Sequence, residues 1–182
     1  QILFLARMIN DLSTLSRAER GVADETEIID VAELAAQINS EYSPQASEKG
    51  LAFNLDIGGR LGVVKVSRLY LEEILQNFIT NAIRYTQKGS ITLSIKKNKS
   101  GEIIFKVIDT GIGISKADMA KIFDKFYRAE DYRTRETKGT GLGLYVSAKL
   151  AKKLGCKIEV ESRLNHGSTF GFKLKEFKNS SK

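Results

Sequence analysis

Lys138-Gly-Thr-Gly-Leu-Gly-Leu-Tyr-Val-Ser147 decides the reading of this sequence, because of what stands before it. Gly139, Gly141 and Gly143 alternate and then give way to a helical pattern in which Leu142, Val146, Leu150 and Leu154 step by four. A glycine turn that opens a helix is a place where backbone N–H groups can meet phosphate oxygens. Upstream runs Asp109-Thr110-Gly111-Ile112-Gly113, a carboxylate at a strand end followed by two glycines that permit close backbone approach. Further upstream Asn77 and Asn81 stand four apart, on one face of a helix. Each signal is weak alone. In this order and spacing they describe a nucleotide pocket.

The helix that carries the asparagines spans Arg68 to Tyr85. Leu71, Ile74, Leu75, Phe78, Ile79, Ala82 and Ile83 make its broad core face. Glu73, Asn77, Asn81 and Arg84 recur at four, four and three residues as a polar stripe opposite. A solvated helix face would favour Glu, Lys and Gln, whereas asparagine is a poor helix former and needs a reason to be there. A short amide carbonyl suits a hard cation such as Mg²⁺. For Asp109 the plain alternative is an ordinary strand-to-turn aspartate. The functional reading is a carboxylate that accepts from an exocyclic amine, which selects adenine over guanine. Neither G-x-x-x-x-G-K-[ST] nor G-x-G-x-x-G occurs, so phosphates would be held by a helix N-terminus, nearby cations and a metal on the asparagine helix.

Outward from these motifs, residues 2–16 carry Ile2, Leu5, Ile9 and Leu12 at heptad spacing, with Met8 and Leu15 widening the stripe. Such a face needs a partner, either a helical dimerisation bundle or the domain that follows. Residues 21–26 read as a linker, and Asp30 with Glu33 opens a helix that Pro44 should kink or reset before Gly50 ends it. Strands are expected at Leu51–Ile57, Val63–Val66, Ile91–Ile95, Ile103–Ile108, Lys157–Glu161 and Ser168–Leu174. Between Ile114 and Lys138 one short helix, about Lys116–Phe123, precedes a charged run without glycine. So long an irregular segment reads as a lid, mobile without nucleotide and anchored by Phe123 and Phe126.

Composition narrows the classes. The 182 residues are 42% hydrophobic and 28% charged, with one proline, as in a soluble globular protein. No apolar run approaches the roughly 18–20 residues that span a bilayer. The sequence opens at Gln1 and shows no signal peptide, so it reads as a piece of a longer protein whose remainder could include a membrane segment. The lone Cys156 follows a helix end and reads as a small core residue in a reducing cytosol. The lone His166 sits in a turn and reads as a bystander. The net charge of +7 is scattered without aromatic–basic interleaving, which argues against nucleic acid as a partner.

Taken together the motifs resemble the catalytic, ATP-binding domain of sensor histidine kinases, within the superfamily that also holds gyrase, the mismatch-repair ATPases and the heat-shock chaperone ATPase. Asn77 to Thr86 is similar to the family's N box, Asp109 to Ile114 to its G1 box, Ile122 to Arg128 to its F box, and Gly139 to Leu144 to its G2 box. Met8 to Arg17 resembles the second helix of the family's dimerisation domain. The resemblance implies an α/β (α+β) two-layer sandwich of a mixed sheet and helices, the Bergerat fold, over residues 23–182. One dimerisation helix would precede it, over residues 1–22.

By the same resemblance Asn77 would ligate Mg²⁺ and Asn81 would lie beside the phosphates, with Arg84 and Arg128 meeting phosphate charge. Tyr85 would border the adenine and Asp109 would bind its amine, with Thr169 near the same end. Gly111, Gly113, Gly139, Thr140, Gly141, Leu142 and Gly143 would belong to the binding loops, and Glu73 would assist the nucleophile. Arg84 stands where lysine is usual, keeping the charge but changing its geometry. The implied function is a cytoplasmic kinase core, with a membrane anchor on its parent left open. It would transfer the γ-phosphoryl of Mg²⁺·ATP to a histidine on a dimerisation helix absent here, for relay to a response regulator by a homodimeric parent. Rival readings are an ATPase of the superfamily, an anti-sigma-type serine kinase, and a degenerate nucleotide-binding scaffold.

Overall fold

The computed structural model describes residues 1–20, 25–129 and 139–180. The elements are α1 (Ile2–Glu19), β1 (Glu27–Asp30), α2 (Val31–Glu48), β2 (Ala52–Ile57), β3 (Val63–Val66) and α3 (Arg68–Tyr85). They continue with β4 (Ser90–Lys97), β5 (Glu102–Asp109), α4 (Lys116–Met119), α5 (Gly143–Lys153), β6 (Glu159–Ser162) and β7 (Ser168–Lys175).

Five strands form one mixed sheet in the order β2-β4-β5-β7-β6. β2 runs parallel to β4, and the remaining pairs are antiparallel. Strand alternation sorts the side chains into two faces. Leu93 and Ile95 register with Val107 and Phe105, and these with Phe170 and Phe172, on the face that helices α2, α3 and α5 cover. Phe105 stacks on Phe172 with ring centroids 4.9 Å apart, and Phe78 of α3 meets Phe170 at 5.3 Å. This is the two-layer α/β sandwich the motifs imply.

The helix ends are set by local chemistry. Asp30 accepts from the backbone N–H of Glu33 at 3.0 Å and caps α2. Gly50, at φ +76°, ends that helix, with Leu51 N–H donating to Ala46 O and Gly50 N–H to Ser47 O. The same pair of bonds recurs at Gly155, where Cys156 N–H reaches Ala151 O, and Cys156 packs half-buried against the core. Pro44 lies inside a continuous α2 rather than resetting it. Glu27–Asp30, between the expected linker and the α2 cap, also forms a strand paired antiparallel with β3, which the sequence reading does not include.

α1 is two-sided in a way its seam did not suggest. Ile2, Leu5, Ile9 and Leu12 are exposed, while Asp11, Thr14, Leu15 and Ala18 are buried where the helix packs on α5 and the pocket loops. The boundary expected between residues 22 and 23 falls outside the described residues, as does the lid segment 130–138. Phe123 packs on the core as expected of a lid anchor. Phe126 does not: its ring is exposed and only its backbone is fastened, N–H to Gly141 O at 2.9 Å. No helix among the described residues is long and apolar enough to cross a membrane.

Candidate functional site

The strand register places Asp109 at one end of the covered sheet face, opposite Ile91 on β4 and Ser168 on β7. Its Oδ1 accepts from Gly111 N–H at 2.8 Å and from Ser168 N–H at 3.2 Å. Burial pushes the carboxyl above its ordinary range, and these two backbone bonds pull it back. Oδ2 has no hydrogen-bond partner among the described residues, and Asp109 lines a cavity under α3. An acceptor-only oxygen left open at the end of the central strand is what a flat base bearing an amino group requires.

Glycines hold this end together by close approach. Gly111 lies against the end of α3: a Cβ there would meet the Tyr85 carbonyl oxygen, and Ile112 N–H donates to that oxygen at 3.1 Å. Gly113, at φ +67°, lies against the Arg163 carbonyl, so the β6–β7 turn clamps the loop. Gly167 and Ser168, which the sequence pattern marks only as turn and strand start, complete the clamp. The signal available was their place in a turn one strand from Asp109.

On α3, Asn77, Asn81, Arg84 and Tyr85 line the same cavity. Asn77 Nδ2 donates to Gly143 O at 3.1 Å and to Ser147 Oγ at 3.0 Å. A carbonyl acceptor requires the N–H₂ end there, which turns Oδ1 away without a partner among the described residues. Arg84 Nη1 donates to Asn81 Oδ1 at 3.1 Å, and its guanidinium lies 5.8 Å from the Tyr85 ring centroid. Burial first, then repulsion from Arg7 and Arg128, lowers the Arg84 pKa from its ordinary value. No group of three His, Cys, Asp or Glu side chains among the described residues could hold a metal alone. The open Asn77 carbonyl fits Mg²⁺, which binds through one or two protein oxygens plus phosphates and water.

The glycine turn forms a further wall. Gly139, Thr140, Gly141 and Gly143 line the cavity, as do Gly113 and Arg128. Thr140 Oγ1 accepts from Leu142 N–H at 3.2 Å and donates to Asp11 Oδ2 of α1 at 3.2 Å. Leu142, Gly111, Glu73 and Thr169 are not among the lining residues. Leu142 is fully buried as the N-cap of α5. Glu73 is 7% exposed and accepts from Asn10 Nδ2 of α1 at 3.5 Å, its pKa raised by burial and then by Asp11. Thr169 pairs with Ile108 and Glu161 on the uncovered sheet face, so Ser168 and Phe170 line the cavity near Asp109 instead. Arg7 and Asp11 also line the cavity, and no local motif had marked them.

Residues 67–178 match the family described as histidine kinase-, DNA gyrase B-, and HSP90-like ATPase. The chain is 35% identical over 169 residues to the aerobic respiration control sensor protein ArcB of Escherichia coli, covering 91% of this chain and 22% of ArcB. It is 33% identical over 173 residues to the sensor protein SrrB of Staphylococcus aureus, covering 93% of this chain and 29% of SrrB. The chain thus spans less than a third of these curated relatives. Among solved structures, full-length ShkA in complex with AMPPNP superposes with a TM-score of 0.81 at 28% identity, covering 93% of this chain and 35% of that one. The catalytic domain of the histidine kinase ThkA superposes with a TM-score of 0.71 at 25% identity, covering 84% and 96%.

Proposed function

The chain belongs to the histidine kinase-, DNA gyrase B- and HSP90-like ATPase family, and on that premise we propose that it acts as the ATP-binding kinase core of a two-component sensor histidine kinase. One observation carries the reading: a single cavity joins an unshared carboxylate oxygen of Asp109 to the asparagine–arginine stripe of α3 and the glycine turn before α5. Adenine takes the Asp109 end, and the phosphates take Asn81, Arg84, Arg128 and the glycine turn. Asn77 Oδ1 would hold Mg²⁺, which would supply charge neutralisation to the phosphate chain.

Transfer then needs little covalent chemistry from the protein beyond positioning and charge neutralisation. A histidine imidazole nitrogen of a helix outside this sequence attacks the γ-phosphorus. The bond to the β–γ bridging oxygen breaks and ADP leaves. Glu73 assists the nucleophile in this reading as a positioning residue; it accepts from Asn10 of α1 and does not line the cavity. His166 lies exposed in the β6–β7 turn and takes no part. Residues 1–22 serve as the second dimerisation helix, whose exposed Ile2, Leu5, Ile9 and Leu12 seam meets the bundle of a homodimeric parent that relays phosphate to a response regulator.

The test is incubation with radiolabelled ATP and Mg²⁺, alone and with a separately made acceptor-helix fragment. Acid-labile, alkali-stable label on the fragment is expected, and none on this chain. Release of inorganic phosphate without transfer would point to the ATPase reading, and acid-stable label to a serine kinase. Acid-labile label on this chain, lost on His166→Ala, would refute the bystander role of His166.

A further inference from the structure

We propose that Arg7 of α1 is a phosphate-binding residue of the nucleotide site, so that α1 completes the pocket of the domain it precedes. The inference rests on the nucleotide reading above and extends it to a helix outside the matched family region, which begins at residue 67.

α1 is fixed against the pocket by its own chemistry. Asp11 is 3% exposed and accepts from Thr140 Oγ1 at 3.2 Å, and the same Thr140 oxygen receives Leu142 N–H at the start of α5. Leu15 and Ala18 are buried one and two turns further along the same side. Arg7 stands one turn before Asp11 and lines the cavity together with Arg84 and Arg128. Among the described residues Arg7 makes no hydrogen bond or ion pair within 4 Å; it attracts Asp11 one turn away and repels Arg84.

The electrostatics say what is missing. Arg84 is largely buried, and both Arg7 and Arg128 disfavour its charge. Asp11, the carboxylate that α1 brings to this corner, is itself disfavoured by burial, and its Oδ2 is engaged by Thr140. Guanidiniums held together in this way repel one another until an anion with several oxygens comes between them. A phosphate chain supplies acceptor oxygens matched to the fork of N–H donors that each guanidinium presents. Arg7 is solvent-exposed. Binding and helix position are then reciprocal: nucleotide holds α1 in place to the extent that α1 tightens nucleotide.

The experiment is calorimetric titration of the full 182-residue chain and its Arg7→Ala and Arg7→Lys variants with ATP and with adenosine, in the presence of Mg²⁺. Arg7→Ala should weaken ATP by about five- to twentyfold, the range of a partly solvated charge-assisted bond, and leave adenosine within twofold. Arg7→Lys should fall between. An Arg7→Ala affinity for ATP within twofold of the parent would overturn the inference, as would equal losses for ATP and adenosine, which mark a change of pocket shape. Failure of the unsubstituted chain to bind ATP would instead overturn the nucleotide reading, and this inference with it.

Discussion

Replacing Asp109 by asparagine should divide binding from stability. In the folded protein Oδ1 of Asp109 accepts from Gly111 N–H at 2.8 Å and Ser168 N–H at 3.2 Å. An asparagine carbonyl can keep both bonds only by placing its N–H₂ where Oδ2 now stands. The exocyclic amine of adenine then meets a donor in place of a charged acceptor. A charge-assisted bond of about 1.5–3 kcal/mol is lost, which weakens ATP by about 10- to 150-fold. Stability moves the other way. Burial raises the Asp109 pKa above 3.8, so the folded state holds the proton more tightly than the unfolded chain does. By linkage, stability falls as pH rises from the unfolded value through the folded one, and above that window the penalty is fully present. Neutral asparagine removes it. Asp109→Asn should therefore melt no lower than the parent at neutral pH and should lose part of the parent's decline in stability from acid to neutral. Calorimetric titration with ATP and thermal melts across pH measure the two halves. Unchanged ATP affinity would refute the adenine assignment, and a large loss of stability at neutral pH would refute the argument from burial.

Asn77→Ala should abolish the enhancement of ATP affinity by Mg²⁺ while sparing adenosine; it also strips Gly143 O and Ser147 Oγ of their donor, at about 1 kcal/mol for each lost neutral bond. A magnesium titration identical in mutant and parent would remove Asn77 as the ligand. Gly113→Ala should cost about 2 kcal/mol or more by urea denaturation, because a Cβ at φ +67° collides with the Arg163 carbonyl, whereas Gly101→Ala, at φ +78° in open space, should cost about 1 kcal/mol. Equal costs would mean the β6–β7 clamp is soft. Asp11→Asn should lower the Glu73 pKa, since repulsion from Asp11 is the second cause of its elevation after burial, and an NMR titration of Glu73 that does not move would separate the two carboxyls.

The parts of this molecule governed by local chemistry could be read directly. α3 is bounded where its apolar period and polar stripe place it, and the glycine after α2 and the one after α5 close those helices with the bonds such glycines favour. What escaped depends on distant partners. β1 is only four residues, with Ile29 buried and Ile28 exposed, and it is a strand because β3, more than thirty residues on, pairs with it. The family resemblance points to Thr169 for the hydroxyl beside Asp109, but the register turns Thr169 to the other sheet face and sets Ser168 opposite Asp109. The backbone donors that hold Asp109 come partly from a residue 59 positions away, which no local pattern reports. α1 shows the opposite failure: its apolar seam was evident, yet its polar side faces the pocket, because Asp11 finds a donor in Thr140.

The β4–β5 hairpin separates the two ends of the molecule for practical purposes. Asp109 lies at one end of β5, and the turn Asn98–Gly101 joins the strands at the other, eight residues away. At about 3.3 Å per residue that is about 25 Å. The turn is closed by its own bonds, Asn98 Oδ1 accepting from Ser100 and Glu102 N–H, and Lys99 and Ser100 are exposed. A cysteine at Ser100 therefore offers an attachment point for a fluorophore or surface tether that is deaf to nucleotide. Paired with a second dye on α1, it would serve as the fixed end of a ruler for that helix's departure from the pocket.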